Sequence, residues 1–455
     1  MRTIISQGEY IMTNSMNGRK GITRRGALTG MAATTALAAV PFRASAQETT
    51  LRWWSPQSAP AQLEAYNMQI ASFEAANPGI KVVFETTSDE GYAAQLAAAF
   101  ASGEVPDVVT HLPSFSIHTY YSNGLVEPMN DVIEAVGPDD FYEGANDVYK
   151  ATDGNYVATG IGNVAANMLW LRTDLMEEAG VDKAPRTWDE FRAACQAMQK
   201  NGIYGAVLPY GRNSMTTRIF VGVMHQAGAS VFTPDLQVAI DSQETRDALE
   251  FYRSMRELCP PGATNYSWGE AITAFVSGAT ATGIYTGRVL GNVNAQNPGI
   301  ADSITCVRYP TISTDVKPWT FNAFPSVFIP AQSQKIEAAK MFAKHLFEPE
   351  GHIKQLHAAP GHLLPVLKSI NSNPIYQDNP IIKKYAAEVD LMAAAAADGH
   401  NLGYESKEHI SNDRAGDVEG TMAISDMVQR VVLNDENPDV VIGETARIIE
   451  EAMKG

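Results

Sequence analysis

The chain has 455 residues, 45% of them apolar and 19% charged, with 51 acidic against 34 basic side chains and a formal charge of −17. That length exceeds one ordinary domain and, at roughly 100 to 200 residues per domain, predicts two large lobes or three smaller ones. The acidity argues against nucleic acid or an anionic membrane as partner, since either needs a basic surface. Three cysteines are too few for a disulfide scaffold.

Residues 1–46 differ from the rest. Basic residues recur there against the single acid Glu9, and residues 26–42 are uncharged between Arg25 and Arg43. Diluted by Gly, Thr and Pro, that run is weak for a spanning helix and reads as a signal peptide. Ala44-Ser45-Ala46 supplies a small-x-small cleavage pattern, so the mature chain is expected to start near Gln47. Thr23-Arg24-Arg25-Gly26-Ala27-Leu28 resembles a twin-arginine export signal, with Ala27 where a bulkier residue is usual. No cysteine follows the cleavage site, so the expected product is an unanchored periplasmic protein.

The mature chain opens with an α/β alternation. Leu51 to Trp54 predicts a strand, and Leu63, Tyr66, Ile70 and Phe73 recur at helical spacing until Asn77-Pro78-Gly79. Ile80 to Glu85 predicts a second strand, Tyr92 to Ser102 a second helix, and Asp107 to Thr110 a third strand. The pattern implies a mostly parallel sheet, whose ligands bind beyond the carboxyl ends of the strands. Those ends carry Trp53 to Gln57, Thr86 to Asp89, and Thr110 to Ser114. Further along, Thr187-Trp188-Asp189-Glu190 is a capping box that starts a helix with Phe191, Ala194, Cys195 and Met198 on its apolar stripe. Cys195 is therefore expected in the core. Cys259 and Cys306 could pair after export, although a chain folded before translocation need not use them. The alanines from Ala393 to Ala397 predict a plain helix.

Several fragments in this order resemble family 1 extracellular solute-binding proteins, the sugar-capturing components of ATP-binding-cassette importers. They are Asn77 to Val82, Ser102 to Val108, Asn123 to Pro128, Leu169 to Leu175, Pro185 to Phe191, and Trp268-Gly269-Glu270 leading through Phe275 to Gly278. The resemblance covers essentially the whole mature chain. It implies two α/β lobes of the type II periplasmic-binding-protein kind, joined by three hinge crossings near Gly162, Asn322 and Leu364. The N-terminal lobe would take 47–162 and 322–363, and the C-terminal lobe 163–321 and 364–455. The extended, small-residue stretches 159–163 and 321–324 suit a hinge. Implied partners are a small carbohydrate and an inner-membrane permease, with a monomeric protein and no cofactor or metal.

A sugar site needs flat aromatics for ring faces and planar polar groups for vicinal hydroxyls. Either Trp53 or Trp54 is expected to face the cleft and the other the core, because adjacent strand residues alternate. Gln57, Asp89, His111 and Ser114 lie on the ligand-side loops, and Asn163 and Asn322 at the crossings. Gly283 to Arg288 resembles the family's strand and turn that deliver a stacking aromatic, with arginine in that place here. Arg288, together with Arg212, Arg218 and Arg414, makes an anionic or highly oxygenated ligand a candidate. The competing reading is that these arginines pair with surface carboxylates. Trp268, just before Glu270, completes the candidate set.

Two other function classes fit parts of the sequence. A glycoside hydrolase would need two flanking carboxylates; Asp89 and Glu270 are candidates, but Glu270 sits where a helix start favours an acid. A ferric-ion-binding protein of related fold would use paired tyrosines, as Tyr120-Tyr121 suggests, yet their position fits helix packing better. His352, His357 and His362 repeat every five residues, a spacing that lines no single helical face.

Overall fold

The computed structural model describes residues 48–87, 89–406 and 410–454. The signal-peptide and export expectations therefore lie outside the described residues. Among the described residues eight strands form two sheets. The first has the order β2-β1-β3-β8-β4, from β1 (Thr49–Ser55), β2 (Ile80–Thr86), β3 (Val108–Thr110), β4 (Thr159–Gly160) and β8 (Ser326–Phe328). The second has the order β6-β5-β7, from β5 (Met168–Arg172), β6 (Thr282–Tyr285) and β7 (Ile304–Arg308). The helices used below are α1 (Pro60–Ala76), α2 (Asp89–Ser102), α3 (Ser114–Ser122), α4 (Trp188–Met198), α5 (Ser214–Ala227), α6 (Trp268–Val276), α7 (Arg288–Gln296), α8 (Ile336–His345), α9 (Pro349–His357), α10 (Ala386–Ala397) and α11 (Ala415–Gly420).

The opening strands behave as their alternation with helices requires. Pro60 sits in the first turn of α1, where its missing N–H costs nothing. Asn77 ends that helix by donating its backbone N–H to Phe73 O at 2.9 Å. The chain then returns as β2, parallel to β1 from Thr49↔Ile80 through Ser55↔Thr86. β3 is also parallel to β1. The expectation of a mostly parallel sheet holds only this far. β8 runs antiparallel to β3 and β4, and β5 is antiparallel to both β6 and β7. No single helix joins β5 to β6 or β3 to β8, so no crossover forces those pairs parallel, whereas β6 and β7, joined across α7, lie on either side of β5 and run in the same direction.

Helices cover both faces of the first sheet. Trp53 is fully buried on one face, edge-on to Tyr66, Phe84 and Phe342. Trp54 is buried on the other, in a cluster with Tyr92, Leu96, Val109 and Phe328. In the second half, α4 starts at the expected box, with Glu190 N–H donating to Thr187 Oγ1 and the Glu190 carboxylate accepting from Thr187 N. Cys195 is fully buried and its thiol meets Thr282 Oγ1 at 3.7 Å.

All three cysteines are free and buried, which corrects the possible Cys259–Cys306 bridge. Cys259 Sγ lies 3.7 Å from the Tyr210 hydroxyl, while Cys306 is held in β7 opposite Trp170. Each sulfur is thus committed to its own packing. Between the sheets, isolated bridges join Asn163 to Leu364 and Ala165 to Asn322. The run 321–324 is not extended throughout, because Phe324 takes φ 45°, a left-handed conformation unusual for a non-glycine residue.

Candidate functional site

A cavity of about 200 Å³ lies beyond the carboxyl ends of β1 and β3. The first sheet supplies Pro56 and Gln57 after β1 and His111 after β3. The second supplies Tyr285 at the end of β6, with Trp268 from α6, Arg288 from α7 and Arg218 from α5. His362 and Glu419 complete the polar wall. The space is therefore enclosed by groups from both sheets, with aromatic faces and planar polar side chains side by side.

Arg288 opens α7 and donates from Nη2 to Gln57 Oε1 at 2.5 Å and from Nε to His362 Nε2 at 3.1 Å. The turn before it is shaped by close approach. A Cβ on Gly287 would sit 1.9 Å from Gly361 O, so only glycine lets this turn lie on the loop that carries His362. Gln57 is fixed in turn by Gln62 Nε2, which donates to the same Oε1 at 2.8 Å. Because His362 Nε2 accepts from arginine, its Nδ1 carries the proton; that atom is buried without a hydrogen-bond partner in the structure.

Both histidines are held neutral. Burial, followed by the nearby Arg288 charge, pushes His111 down to about 3. His362 lies well below the ordinary histidine range for the same two reasons, with His111 a further cause. His111 also takes φ 66°, held by its N–H donating to Ser326 O at 2.9 Å and its Nδ1 lying 3.3 Å from Ser55 Oγ. Such strain at a cavity wall fixes where the ring points. Arg218 differs from Arg288 in being paired, its Nε donating to Glu419 at 2.9 Å while the guanidinium lies over Phe115.

The expected residues divide sharply. Gln57, His111, Trp268 and Arg288 line the cavity. Trp53 and Trp54 do not, correcting the expectation that one of them faces the cleft; with helices on both sheet faces, each indole is core. Ser114 is buried and its Oγ accepts from Asn401 Nδ2 at 2.7 Å, away from the wall. Asn163 and Asn322 bond each other at 3.0 Å rather than lining the space. Arg212 pairs with Asp426 at 3.5 Å on the surface, and Arg414 with Asp417 at 2.9 Å. Asp89 is the first residue of α2, and its side chain lies outside the described part.

Sequence reasoning set His362 aside and did not reach Glu419, Tyr92 or Tyr285. His362 had a usable signal, lying two residues before Leu364 at the third expected crossing. Glu419 had none, since only packing brings α11 to Arg218.

The competing chemistries find little support in the geometry. The exposed Glu270 accepts from Ser267 N at 3.0 Å as a helix cap. Tyr120 packs on Phe100 with ring centroids 4.6 Å apart, whereas the Tyr121 hydroxyl donates to Asp153 at 2.8 Å. His352 and His357 are spent on backbone carbonyls, of Leu346 and Tyr376. Among the described residues no group of three or more His, Cys, Asp or Glu side chains is placed to hold a metal.

Comparison with known proteins agrees with this arrangement. The family model for bacterial extracellular solute-binding protein matches residues 55–353. YcjN of Escherichia coli K12, which carries the name of an ABC transporter periplasmic-binding protein, is 24% identical over 400 residues, spanning 85% of this chain and 88% of YcjN. Among solved structures, a solute-binding protein of Thermotoga lettingae bound with α-D-tagatose superposes with a TM-score of 0.75 at 21% identity, covering 89% of this chain and all of that one. Maltose-bound MalE3 of T. maritima gives 0.74 at 20%, covering 89% and 99%. A solute-binding protein of Agrobacterium radiobacter with ribitol gives 0.75 at 20%, covering 90% and 99%. These likenesses identify the α/β fold as that of the periplasmic binding proteins. The chain belongs to the bacterial extracellular solute-binding protein family, whose members are non-catalytic binding components of ABC transporters.

Proposed function

We propose that this protein captures a carbohydrate or polyol in the cavity between its two sheets and delivers it to an inner-membrane ABC permease. The observation that carries this reading is the mixed wall, with Gln57 and His111 from one sheet and Trp268, Tyr285 and Arg288 from the other. A ligand touching both sets bridges two separately built units, which is how a clamp is closed by what it holds. The lobes follow as 47–162 with 322–363, and 163–321 with 364–455. The bridges Asn163↔Leu364 and Ala165↔Asn322 support crossings at those places. Trp268 and Tyr285, edge-on at 5.6 Å, offer apolar faces to ring carbons, and the neutral histidines and Gln57 offer partners to hydroxyls. The ligands of the Thermotoga lettingae, T. maritima and Agrobacterium radiobacter proteins, a ketohexose, a disaccharide and a pentitol, support the same class.

Export through the twin-arginine route to the periplasm and action as a monomer belong to this proposal. The deciding measurement is a thermal-shift screen of neutral sugars, acidic sugars and polyols on the mature protein. A ligand that binds only the folded form raises the melting temperature by mass action. Catalytic loss of the stabilising compound at substoichiometric protein would overturn the binding role.

A further inference from the structure

Among the described residues, Arg288 is a cation without a counterion. Among the described residues its partners are the neutral Gln57 Oε1 and His362 Nε2, and no carboxylate pairs with it. The comparably sheltered Arg52, Arg172, Arg218, Arg246 and Arg430 each have a carboxylate within 3.0 Å. On a chain with 51 acidic and 34 basic residues, a guanidinium in a cavity that meets no carboxylate among the described residues is an exception. An unmatched charge drawn away from water is costly, and that cost is relieved when a ligand brings the opposite charge.

We infer that the ligand is a sugar acid carrying one carboxylate, which binds Arg288 in place of the neutral acceptors Gln57 and His362. The inference rests on the carbohydrate-binding reading above. A planar fork with five N–H donors matches a carboxylate in a two-point contact that hydroxyls reproduce poorly. His111 and His362 cannot take the anion's place beside Arg288, because both stand as neutral rings. The charge called for is single. The cavity's second guanidinium, Arg218, is already matched by Glu419 at 2.9 Å, so a dianion such as a phosphate would find one free cation and a nearby carboxylate. The remaining wall, with Trp268 and Tyr285, suits a sugar carbon skeleton, which makes a uronate or aldonate the fitting class.

The test is calorimetric titration of matched pairs: D-glucuronate with D-glucose, D-galacturonate with D-galactose, and D-gluconate with D-glucitol. At least one acid should bind tenfold or more tightly than its neutral partner. Arg288→Gln should erase that preference, and Arg288→Lys, which keeps the charge without the fork, should restore part of it. Neutral partners binding as tightly as the acids would overturn the inference and leave the carbohydrate reading standing. An acid-to-neutral ratio unchanged in both variants would overturn it too, leaving Arg288 as a tie between Gln57 and His362. If no sugar, sugar acid or polyol binds the folded protein, this inference and the carbohydrate reading fail together.

Discussion

Asn322 donates from Nδ2 to Asn163 Oδ1 at 3.0 Å, joining two chain segments 159 positions apart where the backbone passes between the sheets. The same side chain donates to Ala396 O at 2.9 Å and accepts from Val164 N and Phe324 N at 3.1 and 2.9 Å. All four hydrogen-bonding positions of the amide are filled, in a fully buried residue. Asn322→Ala strands these partners and is expected to cost about 3 kcal/mol or more. Asn322→Asp, although close in size, should cost at least as much at neutral pH, because it turns an oxygen towards Ala396 O. Urea unfolding of the two variants measures this; an Asp variant as stable as wild type would show that the fastening is dispensable.

Much of this arrangement was legible before the structure. The first three strands, the stop at Asn77-Pro78-Gly79 and the capping box at Thr187 are local signals, and they were read within a few residues. Gln57 and His111 reach the cavity wall because they follow strand ends, which topology alone locates. The expectation that one of Trp53 and Trp54 faces the cleft failed for a long-range reason: alternation correctly sends them to opposite faces, but only tertiary packing reveals that helices cover both. Glu419 lies 201 residues from Arg218, and no spacing rule connects them. Antiparallel pairing in the second sheet was missed because β5 is separated from β6 by residues 173–281, a run of several helices that leaves direction undetermined.

Stability should fall as pH drops below about 6.5. Burial lowers the folded-state pKa of His118, His111 to about 3 and His352 to about 4, and holds His362 well below the ordinary histidine range. The unfolded chain therefore binds protons that the folded chain refuses. Stability is complete above the unfolded value and declines towards the folded values, at about 1.4 kcal/mol per pH unit for each histidine inside its window. His352 is fully buried, with Nδ1 at 3.1 Å from Leu346 O. In urea titrations between pH 6 and 5, His352→Asn should remove about one histidine's share of the slope, whatever it costs at pH 7. An unchanged slope would count against a buried neutral His352.

The thiols should be silent in the native protein. Burial raises all three, Cys259 to about 11, and none bridges another. Native protein treated with iodoacetamide should stay unmodified by mass, and denatured unreduced protein should gain three adducts. A single adduct after denaturation would mean that two of the cysteines had paired.

Export tests the segment ahead of Gln47. With Arg24 and Arg25 both changed to lysine, precursor should accumulate in the cytoplasm if the twin-arginine route is used. Normal periplasmic yield of the double variant would assign the chain to general secretion.

Trp268 carries the last prediction. It is half-buried on the cavity wall, while its backbone carbonyl, not its ring, accepts from the Tyr285 hydroxyl at 2.9 Å. Removing the indole therefore leaves the hydrogen bond that orients Tyr285 intact, and takes away an apolar face. If that face covers sugar carbons, Trp268→Ala should weaken binding of the identified ligand by about 1 to 3 kcal/mol, from lost apolar burial and ring contact. That is roughly five- to a hundredfold in affinity. Trp268→Phe keeps a smaller ring and should retain most of it. The outcome also separates the two recognition elements, because truncating Trp268 should weaken acidic and neutral ligands alike, whereas Arg288 should sort them. Calorimetry showing Trp268→Ala within twofold of wild type would remove the indole from the ligand's contacts and leave Tyr285, Tyr92 and Phe321 to supply the aromatic faces of the site.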